Sequence, residues 1–253
     1  MKLLAIVTLL IIAITSCKTA KENSHRKSAN DRAIYILDQA TKAHGGERYE
    51  KAHYQFIFRD NIYTFKNDGN TYEYTGLKNK NGVTTYEVLN NNGLKQVIDG
   101  VDQNLSKSDQ EKYSGSINSV IYFATLPYKL KDPAVNKSYK GTTIIKNKTY
   151  EVLEVTFDQE GGGKDHDDTF HYWINKETSL IDYLAYNYAV GKGGVRFRAA
   201  YNTRNIDGII FQDYINYKAE IGTPLIDLPK LYEADKLQKL SVIATEDVEN
   251  LSN

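Results

Sequence analysis

The densest set of groups able to do chemistry is the run Glu160-Gly-Gly-Gly-Lys-Asp-His-Asp-Asp-Thr, with His171 two residues beyond it. Asp165, His166 and Asp168 offer oxygen and imidazole ligands within a few residues, three glycines let the backbone bend tightly, and His171 lies on the next predicted strand. Such a set could hold a divalent metal and activate water for hydrolysis. The ligand order is not that of a calcium-binding helix-loop-helix, and the chain contains no His-Glu-x-x-His stretch. A solvated hairpin loop collects the same residue types. His166 and His171, with the strand beginning between them, need not face one site.

Arg196 and Arg198 alternate on one predicted strand, with Arg204 close behind. Guanidinium forks pair bidentately with carboxylates and phosphates, so this face could read an anionic headgroup. Asp182, Asp213 and Glu220 on neighbouring segments would equally serve as cross-strand partners. The preceding Gly191-Lys-Gly-Gly opens a strand, where no helix N-terminus is available to hold phosphate. His44, beside Gly45-Gly46, is either a ligand or a histidine kept partly charged by a helix C-terminus. Nucleophilic catalysis has little support: Cys17 is the single cysteine, and no Gly-x-Ser-x-Gly elbow occurs.

Cys17 follows Lys2 and the apolar run Leu3 to Ile14, the anatomy of a secretory signal. Ile14-Thr-Ser-Cys resembles the lipobox of bacterial lipoproteins. That resemblance implies a signal peptide over residues 1–16, lipidation of Cys17 and a membrane as first partner. Residues 17–30 then form a lipidated tether, since Lys18 to Asn30 has no apolar periodicity. Lys18 is not the Asp that marks inner-membrane retention in many lipoproteins, which points to the outer membrane without choosing its face. Removal of residues 1–16 takes away Lys2 and no acid, leaving 31 basic against 32 acidic side chains. Such a balance gives no basic field for nucleic acid.

The elements that must position these groups are mostly strands. Ala33, Ile36, Leu37, Ala40 and Ala43 recur at helical spacing until Gly45-Gly46. Short alternating runs from Tyr54 to Ile98 predict an antiparallel meander. A second helix is expected from a Ser106/Asp109 cap to Pro127, with Tyr113, Ile117, Val120, Ile121 and Ala124 on one face. Longer strands then run from Tyr139 to Lys218 through tight turns such as Asn147-Lys148 and Asp207-Gly208. Val195, Phe197, Ala199 and Tyr201 share one face of their strand, and Arg196, Arg198 and Ala200 the other. Leu180, Asp182, Leu184, Tyr186 and Tyr188 similarly oppose Ile181, Tyr183 and Ala185. Apolar residues on both faces require cover on both. The twenty tyrosines fit a strand-rich chain with interfacial packing. The fold class expected is mainly β: a single strongly curved antiparallel half-barrel of roughly 10–12 strands, with an N-terminal helix and a short helical lid. It would occupy residues 31–245 as one domain, followed by a polar tail over 246–253.

This order of elements resembles the half-barrel lipoprotein carriers of the LolA, LolB and LppX type. Ala43-His-Gly-Gly, Gly161-Gly-Gly-Lys-Asp-His-Asp-Asp, Tyr172-Trp-Ile-Asn and Phe211-Gln-Asp-Tyr are similar to an uncharacterised lipoprotein family of Bacteroidota, a domain of unknown function. The carrier likeness implies that a lipid, acyl chain or other hydrophobic molecule binds in the concavity of the sheet, with no cofactor. Phe56, Phe58, Tyr63, Phe65, Tyr172, Tyr186, Phe197 and Tyr201 would line it, with Arg196 and Arg198 as polar contacts. Three classes stay open: an anchored binding protein, a metal-dependent hydrolase using Asp165, His166, Asp168 and His171, and a structural lipoprotein with a filled core. The residues favour the first.

Overall fold

The computed structural model describes residues 29–158, 168–189 and 191–252. Cys17, Asp165 and His166 lie outside them. Helix α1 spans residues 29–44 and buries Ala33, Ile36, Leu37 and Ala40, the predicted stripe. Gly45 and Gly46 end it with φ of 144° and 60°. A β-carbon on Gly45 would lie 3.1 Å from Ile209 and 3.3 Å from the Gly208 carbonyl, so glycine also lets the helix end abut the Asp207-Gly208 turn.

A 3-10 turn, Gly46–Lys51, leads into β1 (His53–Phe58), β2 (Asn61–Asp68), β3 (Thr71–Lys80), β4 (Val83–Asn90), β5 (Gly93–Ile98) and β6 (Val101–Asp102). Helix α2 (Lys107–Ala124) follows, its first turn capped by the Ser106 hydroxyl, which accepts from the Asp109 amide at 3.2 Å. Then come β7 (Val135–Ile145), β8 (Lys148–Phe157), β9 (Thr169–Asn175), β10 (Ile181–Tyr188), β11 (Gly194–Ile206) and β12 (Ile209–Ala219). The short α3 (Leu228–Glu233) precedes β13 (Gln238–Ile243) and β14 (Glu246–Asn250).

Among the described residues, the single curved sheet expected from the sequence is instead two seven-stranded antiparallel sheets, neither closed. The first runs β14-β1-β2-β3-β4-β5-β6 and the second β13-β12-β11-β10-β9-β8-β7. The helix between β6 and β7 interrupts the ladder, so each of those strands is left as an edge. The polar run at the C-terminus, expected as a tail, supplies β14 and pairs with β1, Tyr54 opposite Asn250. Ala244 and Thr245 carry the chain from β13 in one sheet to β14 in the other.

Both faces of the second sheet are covered, as its sequence requires. On the inner face Leu153, Val155, Phe170, Tyr172 and Leu184 pack with the α1 stripe. On the outer face Tyr150, Trp173, Tyr183 and Phe197 pack beneath Leu225, Leu228 and Leu237. A third cluster joins Tyr54, Phe56, Phe65 and Tyr74 of the first sheet to Ile117 and Ile121 of α2 and to Ile209 and Phe211 of β12. Burying large aromatic side chains of this kind contributes roughly 1.5–3 kcal/mol each.

Candidate functional site

A cavity of about 570 Å³ lies where β1 and β2, helix α2 and strands β9 to β12 meet. Phe56, Phe58 and Tyr63 supply one wall, Val120, Phe123 and Ala124 the helical side, and Phe170, Tyr186 and Tyr214 the wall from the second sheet. Its volume falls in the roughly 300–1,000 Å³ range of small-molecule sites. The aromatic rings form a connected lining: Phe170 stacks on Tyr186 with centroids 5.1 Å apart, Phe123 lies 5.7 Å from Tyr186, and Phe56 lies 5.9 Å from Tyr63. Behind Phe170, the Tyr122 and Tyr172 hydroxyls hydrogen-bond at 2.8 Å. Burial pushes both phenols up, so they remain neutral.

Two arginines enter this lining from one face of β11. Arg198 is 7% exposed, and its guanidinium carbon sits 3.8 Å from the Phe123 ring centre and 5.3 Å from that of Tyr186. Its Nη2 donates to the Tyr186 hydroxyl at 3.0 Å, while its Nε is buried with no hydrogen-bond partner among the described residues. Arg196 is half-buried and donates to the Tyr188 hydroxyl and to the Val195 carbonyl. The alternation expected for this strand therefore holds: Val195, Phe197 and Ala199 face the outer core. Gly194 opposes Tyr188 across β10 and β11, and a β-carbon there would lie 2.6 Å from the Tyr188 hydroxyl oxygen. Glycine thus lets the Tyr188 ring lie flat over the strand beside Arg196.

Arg204 behaves differently. It grips Asp213 in a two-pronged pair at 2.9 and 3.0 Å and donates to the Thr245 carbonyl at 2.7 Å. The Thr245 amide also donates to Asp213 at 3.0 Å. Burial alone would raise the Asp213 carboxyl, but Arg204, Thr245 and Asn202 together hold it below the usual carboxylate range. This cluster is a clamp on the sheet-to-sheet crossing.

Of the residues expected to contact ligand, Phe56, Phe58, Tyr63, Tyr186, Arg196 and Arg198 line the cavity. Phe65 lies deeper, stacked on Tyr54 at 5.6 Å. Tyr172 is enclosed in the core behind Phe170. Phe197 points to the opposite face of the second sheet, among Trp173 and Tyr183. Tyr201 shares that outer side but lies beyond the cover and is 38% exposed.

Of the ligand set proposed for a metal, Asp165 and His166 lie outside the described residues, and the other two, Asp168 and His171, do not converge. Asp168 lines the cavity with Phe170, whereas His171 points from the other face, where its Nε2 meets Glu154 at 3.2 Å. Successive strand residues alternate in side, which separates the two. Burial pushes the His171 imidazole down despite Glu154. Among the described residues no three His, Cys, Asp or Glu side chains group so as to hold a metal ion. His44 is fully enclosed rather than partly charged: Nδ1 donates to the Ala40 carbonyl at 2.8 Å, Nε2 accepts from the Ile181 amide at 3.5 Å, and burial pushes its pKa down. Phe123, Phe170, Tyr188, Gln212 and Tyr214 were not expected as lining. Phe170 and Tyr188 carried a usable signal, since each shares a strand face with an expected contact two residues away.

A profile for a family of unknown function matches residues 7–247. The chain belongs to DUF6503. No functionally curated protein matches this DUF6503 member. Its fold is similar to that of a LolA superfamily protein from Nitrosomonas europaea, with a TM-score of 0.51 at 14% identity over 86% of this chain and 92% of that one. A domain assigned to an outer membrane lipoprotein-sorting protein of Vibrio parahaemolyticus aligns at 8% identity and a TM-score of 0.48, covering 88% and 93%. The Mycobacterium tuberculosis lipoprotein LppX aligns at 12% identity and a TM-score of 0.30, covering 65% and 91%. The fold assignment of the DUF6503 chain rests on the first of these. Among its described residues no helix is long and apolar enough to cross a membrane.

Proposed function

We propose that this protein is a lipid-anchored binding protein of the cell envelope that holds an acyl chain or other hydrophobic molecule between its two sheets, beneath α2. The observation that carries the reading is the aromatic-walled cavity of about 570 Å³, built from two sheets and a helix. Apolar walls with a few fixed polar groups suit an amphiphile. The fold shared with a LolA superfamily protein supports the same reading. Anchoring through Cys17, placement at the outer membrane and an origin in Bacteroidota rest on the sequence resemblances and are part of this proposal.

The test uses the mature protein in its own membrane and a neutral dodecanol carrying a diazirine. Illumination should label peptides containing Phe123 and Phe170, and Ser119→Trp, at the cavity lining on α2, should reduce that labelling. Absence of cavity labelling would overturn the reading. For the anchor, alkyne-palmitate should label the wild type and not Cys17→Ala.

A further inference from the structure

We infer that the ligand carries an anionic oxygen group, carboxylate or phosphate, at the end of its apolar chain, and that Arg198 and Arg196 read it. This rests on the apolar-cavity reading above and narrows it to one chemical class.

The argument begins with charge. Among the described residues, Arg59, Arg196 and Arg198 line the cavity with one carboxylate, Asp168, and no Lys, Glu or His contributes. Among the described residues, no carboxylate oxygen lies within ion-pair distance of Arg196 or Arg198, although Arg204 six positions on is fully paired. Burying a guanidinium is strongly unfavourable unless it is paired and hydrogen-bonded. Arg198 is buried all the same, with its Nε donor unmet by any described residue. The two rings that stack on it compensate in part but accept no N–H in line.

Geometry adds a second point. A guanidinium stacked on an aromatic face keeps its edge free, and that edge is where its donors meet two oxygens at once. Arg196 stands two residues along the same strand face, about 7 Å away. Tyr186 and Tyr188 hold the pair in place through their hydroxyls. An anionic group entering beside Arg198 would satisfy Nε, neutralise a buried charge and leave its chain against Phe56, Tyr63 and Phe170.

The test compares diazirine-bearing laurate, monododecyl phosphate and dodecanol on the mature protein in its membrane, reading the concentration for half-maximal cavity labelling. Arg198→Met should raise that concentration about tenfold more for laurate and dodecyl phosphate than for dodecanol. Arg196→Met should shift the two anions in the same direction. Dodecanol labelling doubles as the check that each variant folds, and Arg196→Met stands in if Arg198→Met does not. The stronger of the two anions identifies carboxylate or phosphate, and either supports the inference. Unchanged anion labelling in folded variants, or an equal shift for dodecanol, would overturn it while the cavity reading stands. Loss of anion labelling at inorganic phosphate no more concentrated than the probe would make this a free-anion site, to which the chain adds nothing, and overturn it too. No labelling by any probe would overturn both.

Discussion

The guanidinium carbon of Arg198 lies 3.8 Å from the centre of the Phe123 ring, so a cation on the second sheet is stacked directly on the helix that roofs the cavity. The contact joins α2 to β11. Cation–π stacking of a desolvated arginine is worth up to about 2 kcal/mol. A double-mutant cycle of Phe123→Leu and Arg198→Met, read by urea unfolding, should give a coupling near 1 kcal/mol. Coupling below about 0.3 kcal/mol would show that the two side chains are mere neighbours.

Gly194 makes room for Tyr188. With a β-carbon only 2.6 Å from the phenol oxygen, Gly194→Ala must displace the ring that Arg196 uses as a hydrogen-bond partner. The expected cost is about 1–2 kcal/mol in the wild type. In a Tyr188→Ala background it should fall below about 0.5 kcal/mol, because nothing is left to displace. Equal costs in both backgrounds would point to a backbone effect instead.

The Arg204–Asp213 pair should make stability depend on acid. The folded carboxyl titrates below its unfolded value of about 3.9. The stabilisation is therefore fully present above about pH 4 and is lost as pH falls through the folded-state pKa. Asp213→Asn should cost about 3 kcal/mol at neutral pH, since it leaves Arg204 without its charge partner. Its unfolding midpoint should converge on that of the wild type in acid. A gap that stays constant down to pH 3 would exclude the titration account.

Much of the architecture was legible because side-chain alternation and helix signals are local. Alternation put Arg196 and Arg198 opposite Val195, Phe197 and Ala199, and the Ser106/Asp109 pair marked the start of α2. Alternation failed where the ladder slips. A bulge between Ile181 and Tyr183 sends Ile181 inward with Leu184, while Asp182 meets Tyr150 and Asn175 toward the outer face. The turn expected at Asn147-Lys148 falls one residue earlier, at Lys146-Asn147, both with positive φ. Division into two sheets was not legible, because local pattern cannot reveal that Asn250 pairs with Tyr54 across nearly the whole chain. For the same reason the convergence of Phe56, Phe123 and Arg198 from three distant segments had to come from the fold. Asp168 and His171 show the converse: closeness in sequence suggested a common site, and strand parity put them on opposite faces.

The crossing at Ala244 and Thr245 has a consequence for the cavity itself. Strands only two residues apart in the chain serve opposite walls, and Asp213 and Arg204 pin Thr245 between them. On this side the gap between the walls is a covalent dimension, stitched by one peptide corner, rather than a distance left to packing alone. The C-terminal strand thus acts as a gauge for the width of whatever the walls enclose.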